Sequence, residues 1–188
     1  MFPSTTMAPI EIKARVHDFE AMKGRVLKAL GTKLTFNTEY NQYDTYYNCT
    51  NGVMMLREFT MTMDPKDDVL IWRPSQDTRP SDSVITKIKP AEAISLSKAM
   101  FKAYGHLAIV KKRRHVYIAH TIQVSVNLDR VEGLGDFISL TVWVREDQSL
   151  EETKAHVADI RQALDIKDED LVTSTYLDLT RAASENKA

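Results

Sequence analysis

Charged and apolar side chains alternate along the first patterned stretch of the chain, Ile10 to Val16. Successive side chains of an extended strand point to opposite faces, so Glu11, Lys13 and Arg15 share one face and the apolar residues share the other. An ordinary half-buried strand with its charges in water gives the same pattern. The stretch therefore predicts a strand with one charged face. Whether this face contacts water or the protein interior depends on the rest of the chain.

The densest basic cluster is Lys111-Lys112-Arg113-Arg114, within a strand predicted from Leu107 to Ile118. Such a run is able to bind an anion, but a solvated surface has the same composition. Because residues 112 and 114 share one face of a strand and 111 and 113 point away, only half of the cluster can enter a single site. The sequence does not choose between the two faces, since both are basic.

Overall composition limits the kind of anion site that is possible. Lysine and arginine number 25 against 26 acidic residues, a formal net charge of −1, which excludes the global positive field of a non-specific nucleic-acid binder. An anion site must therefore be local. The single cysteine, Cys49, excludes an intrachain disulfide, a thiolate zinc cluster and a CxxC redox pair, and suits a reducing compartment.

The length of 188 residues, 43% of them hydrophobic, allows one sizeable core. This predicts a single domain over 1–188, with its core at about 9–181 and mobile tails. Residues 1–9 lack the charged and apolar regions of a signal peptide, and no apolar run approaches the roughly 20 residues that cross a bilayer. We therefore expect a cytoplasmic protein with no membrane or nucleic-acid partner; its oligomeric state stays open, a homodimer included.

Helical patterns occur in four places. Three begin at residues that favour helix starts, Asp18, Pro90 and Ser149, and the last lies near 168–182. Gly31 and Gly105 are the expected ends of the first two helices. The first helix is predicted to bury Phe19, Met22, Val26 and Leu30, the second Ile94, Met100 and Phe101, and the third Val157, Ile160 and Leu164.

Several predicted strands carry one polar and one apolar face, as over 121–129, and turns or loops at 48–52, 64–68, 74–83 and 130–136 separate them. Amphipathic helices need an apolar surface to cover. A sandwich whose polar strand faces point outward would leave the helices little apolar surface on which to pack. The economical packing is a β-barrel with the helices outside. Its polar lumen would be lined by Glu11, Lys13, Arg15, Arg57, Gln123, Asn127 and Asp129.

Six segments occur in an order that is informative as a set: Glu11-Ile12-Lys13-Ala14-Arg15, Gln42 to Tyr47, Leu56-Arg57-Glu58, Val110 to Arg114, Leu128 to Phe137, and Thr175 to Leu179. Together they resemble the CYTH superfamily of triphosphate tunnel enzymes, which includes class IV adenylyl cyclases and thiamine triphosphatases. The first segment is similar to the family's ExExK signature. The resemblance runs over nearly the whole chain and is nearest to the class IV cyclase branch.

This resemblance implies an α+β fold with an eight-stranded antiparallel barrel, or tunnel, in which basic residues bind a triphosphate and carboxylates hold Mg²⁺ or Mn²⁺. A triphosphate needs cationic partners, and these metals take oxygen ligands and bridge phosphoryl groups. The implied phosphate-binding residues are Lys13, Arg57, Arg73, Lys112 and Arg114, of which Lys13 and Arg57 are also catalytic candidates, and the implied metal ligands are Glu11 and Asp129.

Several family positions are substituted. Pro9, Ser139 and Thr141 stand where acidic residues are usual, Met55 replaces a basic residue, and Asn127 replaces a histidine. Neutral Ser and Thr are poorer metal ligands than carboxylates. The sequence therefore predicts that the phosphate-binding residues are better preserved than the metal-binding ones.

Other polar residues have two interpretations. Asp44 and Tyr46 lie in a strand rich in aromatic residues, where they would either touch the base or ribose of a ligand or belong to the core, the commoner case. His115 and His120 lack the spacing of metal ligands, and we expect both at the surface.

Three functions are compatible with these observations. The first is a tunnel protein that binds a nucleoside triphosphate, thiamine triphosphate or inorganic tripolyphosphate, with a degenerate metal site and reduced or altered activity. The second is an active metal-dependent triphosphatase or class IV-type adenylyl cyclase, in which Glu11 and Asp129 hold one metal ion. The third is a non-catalytic module that binds a protein partner. The sequence does not identify the ligand.

Overall fold

The computed structural model describes residues 9–61, 66–74, 83–145 and 148–185. Residues 75–82 of the loop predicted at 74–83 and residues 64–65 of the turn predicted at 64–68 lie outside these residues. So do residues 1–8 and 186–188, which belong to the predicted tails. The described strands are β1 (Ile10–Val16), β2 (Phe36–Tyr47), β3 (Val53–Thr60), β4 (Asp68–Arg73), β5 (Val84–Ile88), β6 (His106–Ala119), β7 (Val124–Val131) and β8 (Gly135–Val142). The α-helices are α1 (Phe19–Leu30), α2 (Pro90–Tyr104), α3 (Leu150–Ala163) and α4 (Tyr176–Glu185).

The eight strands form one sheet in the order β1-β8-β7-β6-β2-β3-β4-β5. The pairs β1–β8, β2–β3, β3–β4 and β4–β5 are antiparallel. The prediction of an α+β fold built on eight antiparallel strands is therefore confirmed. None of the helices in the described part of the chain is long and apolar enough to cross a membrane.

The chain divides into two compact units. The first consists of the described residues within 1–39, 114–130 and 135–173, and holds β1, β8, most of β7, the second half of β6, α1 and α3. The second consists of the described residues within 40–113, 131–134 and 174–188, and holds most of β2, the first half of β6, β3 to β5, α2 and α4.

The core of the first unit lies between its strands and helices α1 and α3. In α1, Asp18 caps the first turn by accepting a hydrogen bond from the Ala21 backbone at 3.0 Å, and the predicted stripe is buried. In α3, the capping box of Ser149 and Glu152 forms as predicted, and Val157 and Leu164 are buried. The strand residues in this core include Ala14, Val16, Val124, Val126, Leu128, Ile138, Leu140 and Val142.

The pairing of β1 with β8 separates an apolar from a polar face in the first unit. Ala14 pairs with Ile138 on the face that the core covers, whereas Glu11 pairs with Thr141 and Lys13 with Ser139 on the other. Within this unit the helices therefore cover the apolar strand faces, as predicted.

The second unit is organised around the β2–β3 hairpin. Its turn includes Gly52, with φ 103°, where a Cβ atom would lie 2.2 Å from the Arg73 carbonyl oxygen. The turn fixes the register, which places Tyr47 opposite Met54 and Asp44 opposite Arg57. Tyr47 and Leu56 pack with Ala93 and Met100 of α2, so this hairpin also has a helix-covered face.

Several local predictions were wrong. In α2, Ile94 and Phe101 are exposed, because the buried stripe consists of Ala93 and Met100, which lie two helical turns apart.

The strand predicted over 121–129 begins only at Val124. Residues 120–122 form a 3-10 turn, and the backbone of Gln123 is left-handed, with φ 55°. The last helix begins at Tyr176, after a separate 3-10 turn at Asp168–Asp170.

Candidate functional site

The basic cluster on β6 alternates between buried and exposed positions. Lys112 is buried and Arg114 is half-buried, whereas Lys111 and Arg113 are exposed. The structure thus makes the choice of face that the sequence left open. The more buried residues are Lys112 and Arg114, for which phosphate binding stays a prediction. Exposed Lys111 lies 3.4 Å from Glu132, as an ordinary surface pair.

In the second unit, Asp44 is the centre of a buried polar cluster. Lys112 Nζ donates to Asp44 Oδ2 at 2.7 Å, and Arg57 donates through Nε to Oδ1 at 2.7 Å and through Nη2 to Oδ2 at 3.1 Å. Gln42 Nε2 lies 2.9 Å from both oxygens. One carboxylate therefore holds two cations in place.

Burial and charge oppose one another at Asp44. Its side chain and that of Lys112 are each 2% exposed, and that of Arg57 is 28% exposed. Burial by itself would raise the pKa of the Asp44 carboxyl, but the charges and hydrogen bonds of Lys112 and Arg57 outweigh it and hold this pKa well below its usual range. Asp44 is therefore an anion at neutral pH, and the three residues together carry a net charge of +1.

Other residues of the second unit complete the surroundings of this cluster. The Tyr176 ring centroid lies 5.3 Å from Lys112 Nζ, a cation–π distance. Arg73 pairs in register with Val53, four residues before Arg57, and so lies on the same face of the sheet as Arg57. Burial and then the negative charge of Asp44 raise the pKa of Tyr46 to about 12, although Arg57 and Arg73 oppose this shift. Tyr46 consequently keeps its hydroxyl proton.

The first unit contains a second buried carboxylate, Asp129, which is fully buried. Arg114 donates to it through Nε to Oδ1 at 2.7 Å and through Nη2 to Oδ2 at 2.6 Å. This is the bidentate geometry in which arginine binds carboxylates and phosphates. The Arg114 side chain is 17% exposed, and the charges of the two groups balance.

The remaining candidates of the first unit lie on β1. Glu11 is exposed and Lys13 is half-buried, and both lie on the polar face of the strand. The neutral residues Thr141 and Ser139 stand beside them on β8, at the positions where the family pattern has acids. No carboxylate therefore adjoins Glu11 at these paired positions.

The resemblance implies a divalent metal, and the donor groups test whether one fits. Both oxygens of Asp129 accept hydrogen bonds from Arg114, and both oxygens of Asp44 accept hydrogen bonds from cations. Within the described ranges, no three residues among His, Cys, Asp and Glu come together as in a metal site built entirely from protein side chains. Mg²⁺ is usually held by one or two carboxylates together with waters and substrate phosphates, so what the described donors do not fit is a cage of protein carboxylates alone. The assignment of Glu11 and Asp129 as metal ligands stays a prediction.

Asp44 has a larger part in the site than the sequence indicated. One sequence feature could have indicated this. Gln42, Asp44 and Tyr46 lie on the same face of a strand, and polar side chains on a buried strand face need hydrogen-bond partners. Once the turn fixes the hairpin register, Asp44 faces Arg57. No sequence pattern indicated that the Tyr176 ring would lie against Lys112, because the two residues are far apart in the chain.

His115 corrects another expectation. It is buried rather than at the surface, with Nδ1 at 3.3 Å from a Glu39 oxygen and its ring 5.3 Å from that of Phe19. It follows Arg114 directly and points to the opposite face of β6, the side on which α1 packs. His120 is only half-buried, with Nδ1 2.7 Å from the Thr35 hydroxyl.

Comparisons with known families and proteins concern the whole chain rather than single site residues. The family model described as "CYTH domain" matches residues 7–176. A Methanocaldococcus jannaschii protein named "Putative adenylate cyclase" is 23% identical over 184 residues, which cover 92% of this chain and 98% of that protein. The match thus includes both units.

Solved structures share the fold. A Pyrococcus horikoshii protein of 26% sequence identity superimposes with a TM-score of 0.65, covering 92% of this chain and 99% of that one. A protein from Hippeastrum, described as a "putative adenylyl cyclase" with a dominant triphosphatase activity, is 13% identical, with a TM-score of 0.62 and coverage of 93% and 96%. At that identity the second likeness concerns the fold alone.

Proposed function

The chain belongs to the CYTH domain family, and from this premise we propose that it binds a triphosphate or polyphosphate anion. The ligand is a nucleoside triphosphate, thiamine triphosphate or inorganic tripolyphosphate. In this proposal the metal site is degenerate, so the activity is reduced or altered relative to that of a metal-dependent enzyme.

The observation that carries the proposal is that two cations, Arg57 and Lys112, share the carboxylate of Asp44, so that these three side chains have a net charge of +1. Arg73 lies on the same sheet face as Arg57, and Asp178 adds a negative charge near Tyr46. A partly buried excess of positive charge attracts anions more strongly than exposed lysines do, because water screens it less. Arg57, with its planar fork of donors, suits a phosphoryl group best.

Each basic residue has a distinct part in this proposal. Arg57 binds phosphoryl oxygens in a bidentate manner, and Lys112 and Arg73 add positive charge. The family resemblance also assigns Lys13 and Arg114, both of the first unit, to phosphate binding. It makes Lys13 and Arg57 separate candidates for stabilising the negative charge that develops when a phosphoryl group is transferred.

A ligand panel tests this function. The melting temperature is measured with ATP, thiamine triphosphate and tripolyphosphate, each with and without Mn²⁺. Binding to the native state alone should raise the melting temperature once the ligand exceeds its dissociation constant, and added salt should reduce the shift. Arg57→Gln should diminish the shift, whereas Arg113→Gln, which removes an exposed cation of the same cluster, should leave it nearly unchanged. If calorimetry also detects no heat with any of these anions, the proposal is wrong and a protein-binding module is favoured.

A second candidate is an active metal-dependent triphosphatase or adenylyl cyclase, which the descriptions of the Methanocaldococcus and Hippeastrum proteins favour. It requires Asp129 to serve a metal ion as well as Arg114. Release of phosphate, pyrophosphate or cyclic AMP at ordinary enzyme rates, abolished by Glu11→Ala, would overturn the degenerate-site proposal. For this second candidate, Asp129→Asn must remove turnover while triphosphate binding persists.

A further inference from the structure

We propose that Asp44 is an internal counter-anion, which occupies donors of Lys112 and Arg57 that a phosphoryl group would otherwise receive and thereby limits the affinity of the site. The inference rests on the proposed function, because it concerns the same cations. It assigns to Asp44 a regulating role, distinct from direct contact with a ligand or from a purely structural part in the core.

The hydrogen bonds around Asp44 resemble those of a bound oxyanion. Its two oxygens receive five contacts of 2.7–3.1 Å, from Lys112, from two nitrogens of Arg57 and from Gln42. A side-on guanidinium, an ammonium and an amide are the donors that proteins direct at phosphate oxygens. Asp44 therefore takes the part of an anion among these residues.

Exposure indicates which donor a ligand reaches first. The Lys112 side chain is 2% exposed, so its charge is matched in place by Asp44, whereas 28% of the Arg57 side chain is exposed. An incoming phosphoryl group contacts Arg57 and meets the negative charge of Asp44 behind it. Like charges at this separation, and away from bulk water, repel appreciably.

The same carboxylate stabilises the fold. It lies between the buried Lys112 ammonium and the Arg57 guanidinium, and removing one partner from such buried ion pairs is costly. Asp44 consequently has two effects of opposite sign: it stabilises the ligand-free fold and weakens the binding of anions. Replacing its charge should separate these effects.

The test compares the binding of inorganic tripolyphosphate to three proteins by titration calorimetry at low salt: wild type, Asp44→Asn and Glu132→Gln. Both variants lose one negative charge in the second unit, but Glu132 belongs to the exposed pair with Lys111. Asp44→Asn should bind tripolyphosphate roughly tenfold more tightly, and Glu132→Gln should differ from wild type by less than about twofold. Without anion, Asp44→Asn should unfold at lower urea than wild type.

If Asp44→Asn does not fold, a second pair of variants tests the same inference. Asp44→Asn/Lys112→Gln leaves no buried ammonium, and it is compared with Lys112→Gln alone, so that the effect of Asp44 is read in a common background. If Asp44 is an internal counter-anion, the double variant should bind tripolyphosphate more tightly than Lys112→Gln does. Equal or weaker binding by the double variant would overturn the inference.

The outcomes separate this inference from the proposed function. If wild type binds tripolyphosphate and Asp44→Asn binds it equally or more weakly, Asp44 only positions the cations and the inference is overturned while the function stands. If wild type does not bind but Asp44→Asn does, the inference is supported in its strongest form and the proposed function fails for wild type. If neither binds, both fail.

Discussion

Each of the two units encloses one buried carboxylate that is bonded to an arginine from a neighbouring strand, yet the two clusters differ in charge. In the second unit, Asp44 is shared by Arg57 and Lys112, which leaves one positive charge in excess. In the first unit, Asp129 and Arg114 form a bidentate pair whose charges balance. In both clusters the carboxylate and the arginine lie on neighbouring strands, and the second cluster also contains a lysine.

Under the proposed function, this difference favours the Asp44 cluster as the one that binds the anion. The pair of Asp129 and Arg114, balanced in charge and largely buried, has little electrostatic reason to attract a phosphate. An excess cation with a partly exposed guanidinium has one. The same comparison bears on the metal. A carboxylate that already accepts two hydrogen bonds from arginine must exchange them before it can coordinate a cation.

The largest expected effect is on stability. Asp44→Ala and Asp129→Ala should each lower the free energy of unfolding by about 3–5 kcal/mol, because each leaves a buried cation without its carboxylate. Asp44→Ala should lose more, since two cations are left. Urea denaturation measures both, and Glu132→Ala, at an exposed pair, should stay within about 0.5 kcal/mol of wild type.

Added tripolyphosphate sharpens this first comparison. It should restore more of the lost stability to Asp44→Ala than to Asp129→Ala, because the ligand replaces the missing anion beside Arg57 and Lys112. A loss for Asp129→Ala as large as that for Asp44→Ala, with equal rescue, would show that the two clusters are equivalent.

A smaller effect is expected on ligand affinity. Arg57→Gln should weaken tripolyphosphate binding about tenfold or more, as the loss of a charge-assisted bidentate contact does. Arg114→Gln should weaken it only a few-fold, because Arg114 is matched in charge by Asp129, whereas Arg57 shares its carboxylate with Lys112. Titration calorimetry on both variants measures the two affinities. Equal losses would mean that Arg57 and Arg114 contribute alike to binding, against this prediction.

The smallest effect concerns acid stability. The pKa of Asp44 is lowered in the folded protein, so between its folded value and the unfolded value of about 4 the unfolded chain binds more protons. The stability that Asp44 contributes is therefore present above about pH 4 and is lost as the pH falls through its folded pKa. The urea midpoint of wild type should drop on acidification from about pH 5 to about pH 3, and that of Asp44→Asn should drop less. If the urea midpoints of the two proteins fall in parallel with pH, the ionised Asp44 carboxyl is not the cause of the acid sensitivity.

Local patterns predicted much of the fold. Period-two alternation located β1, and capping residues located α1 and α3, because these signals depend only on neighbours in the chain. The prediction failed at α2, where Ile94 and Phe101 compete with Ala93 and Met100 for the inner face. Helix periodicity alone does not decide that choice, since it depends on which strand residues the helix covers.

The sequence by itself determined the order of the elements, the family and the basic residues on polar strand faces, because strand parity and motif order are properties of the chain. Only the tertiary structure decided that Lys112 and Arg114, rather than Lys111 and Arg113, are the buried half of the cluster. It alone showed that each of these two cations has a carboxylate partner, Asp44 for Lys112 and Asp129 for Arg114. Asp44 and Lys112 are 68 residues apart, and the balance of charge between them depends on strand pairing and burial, which no local pattern specifies.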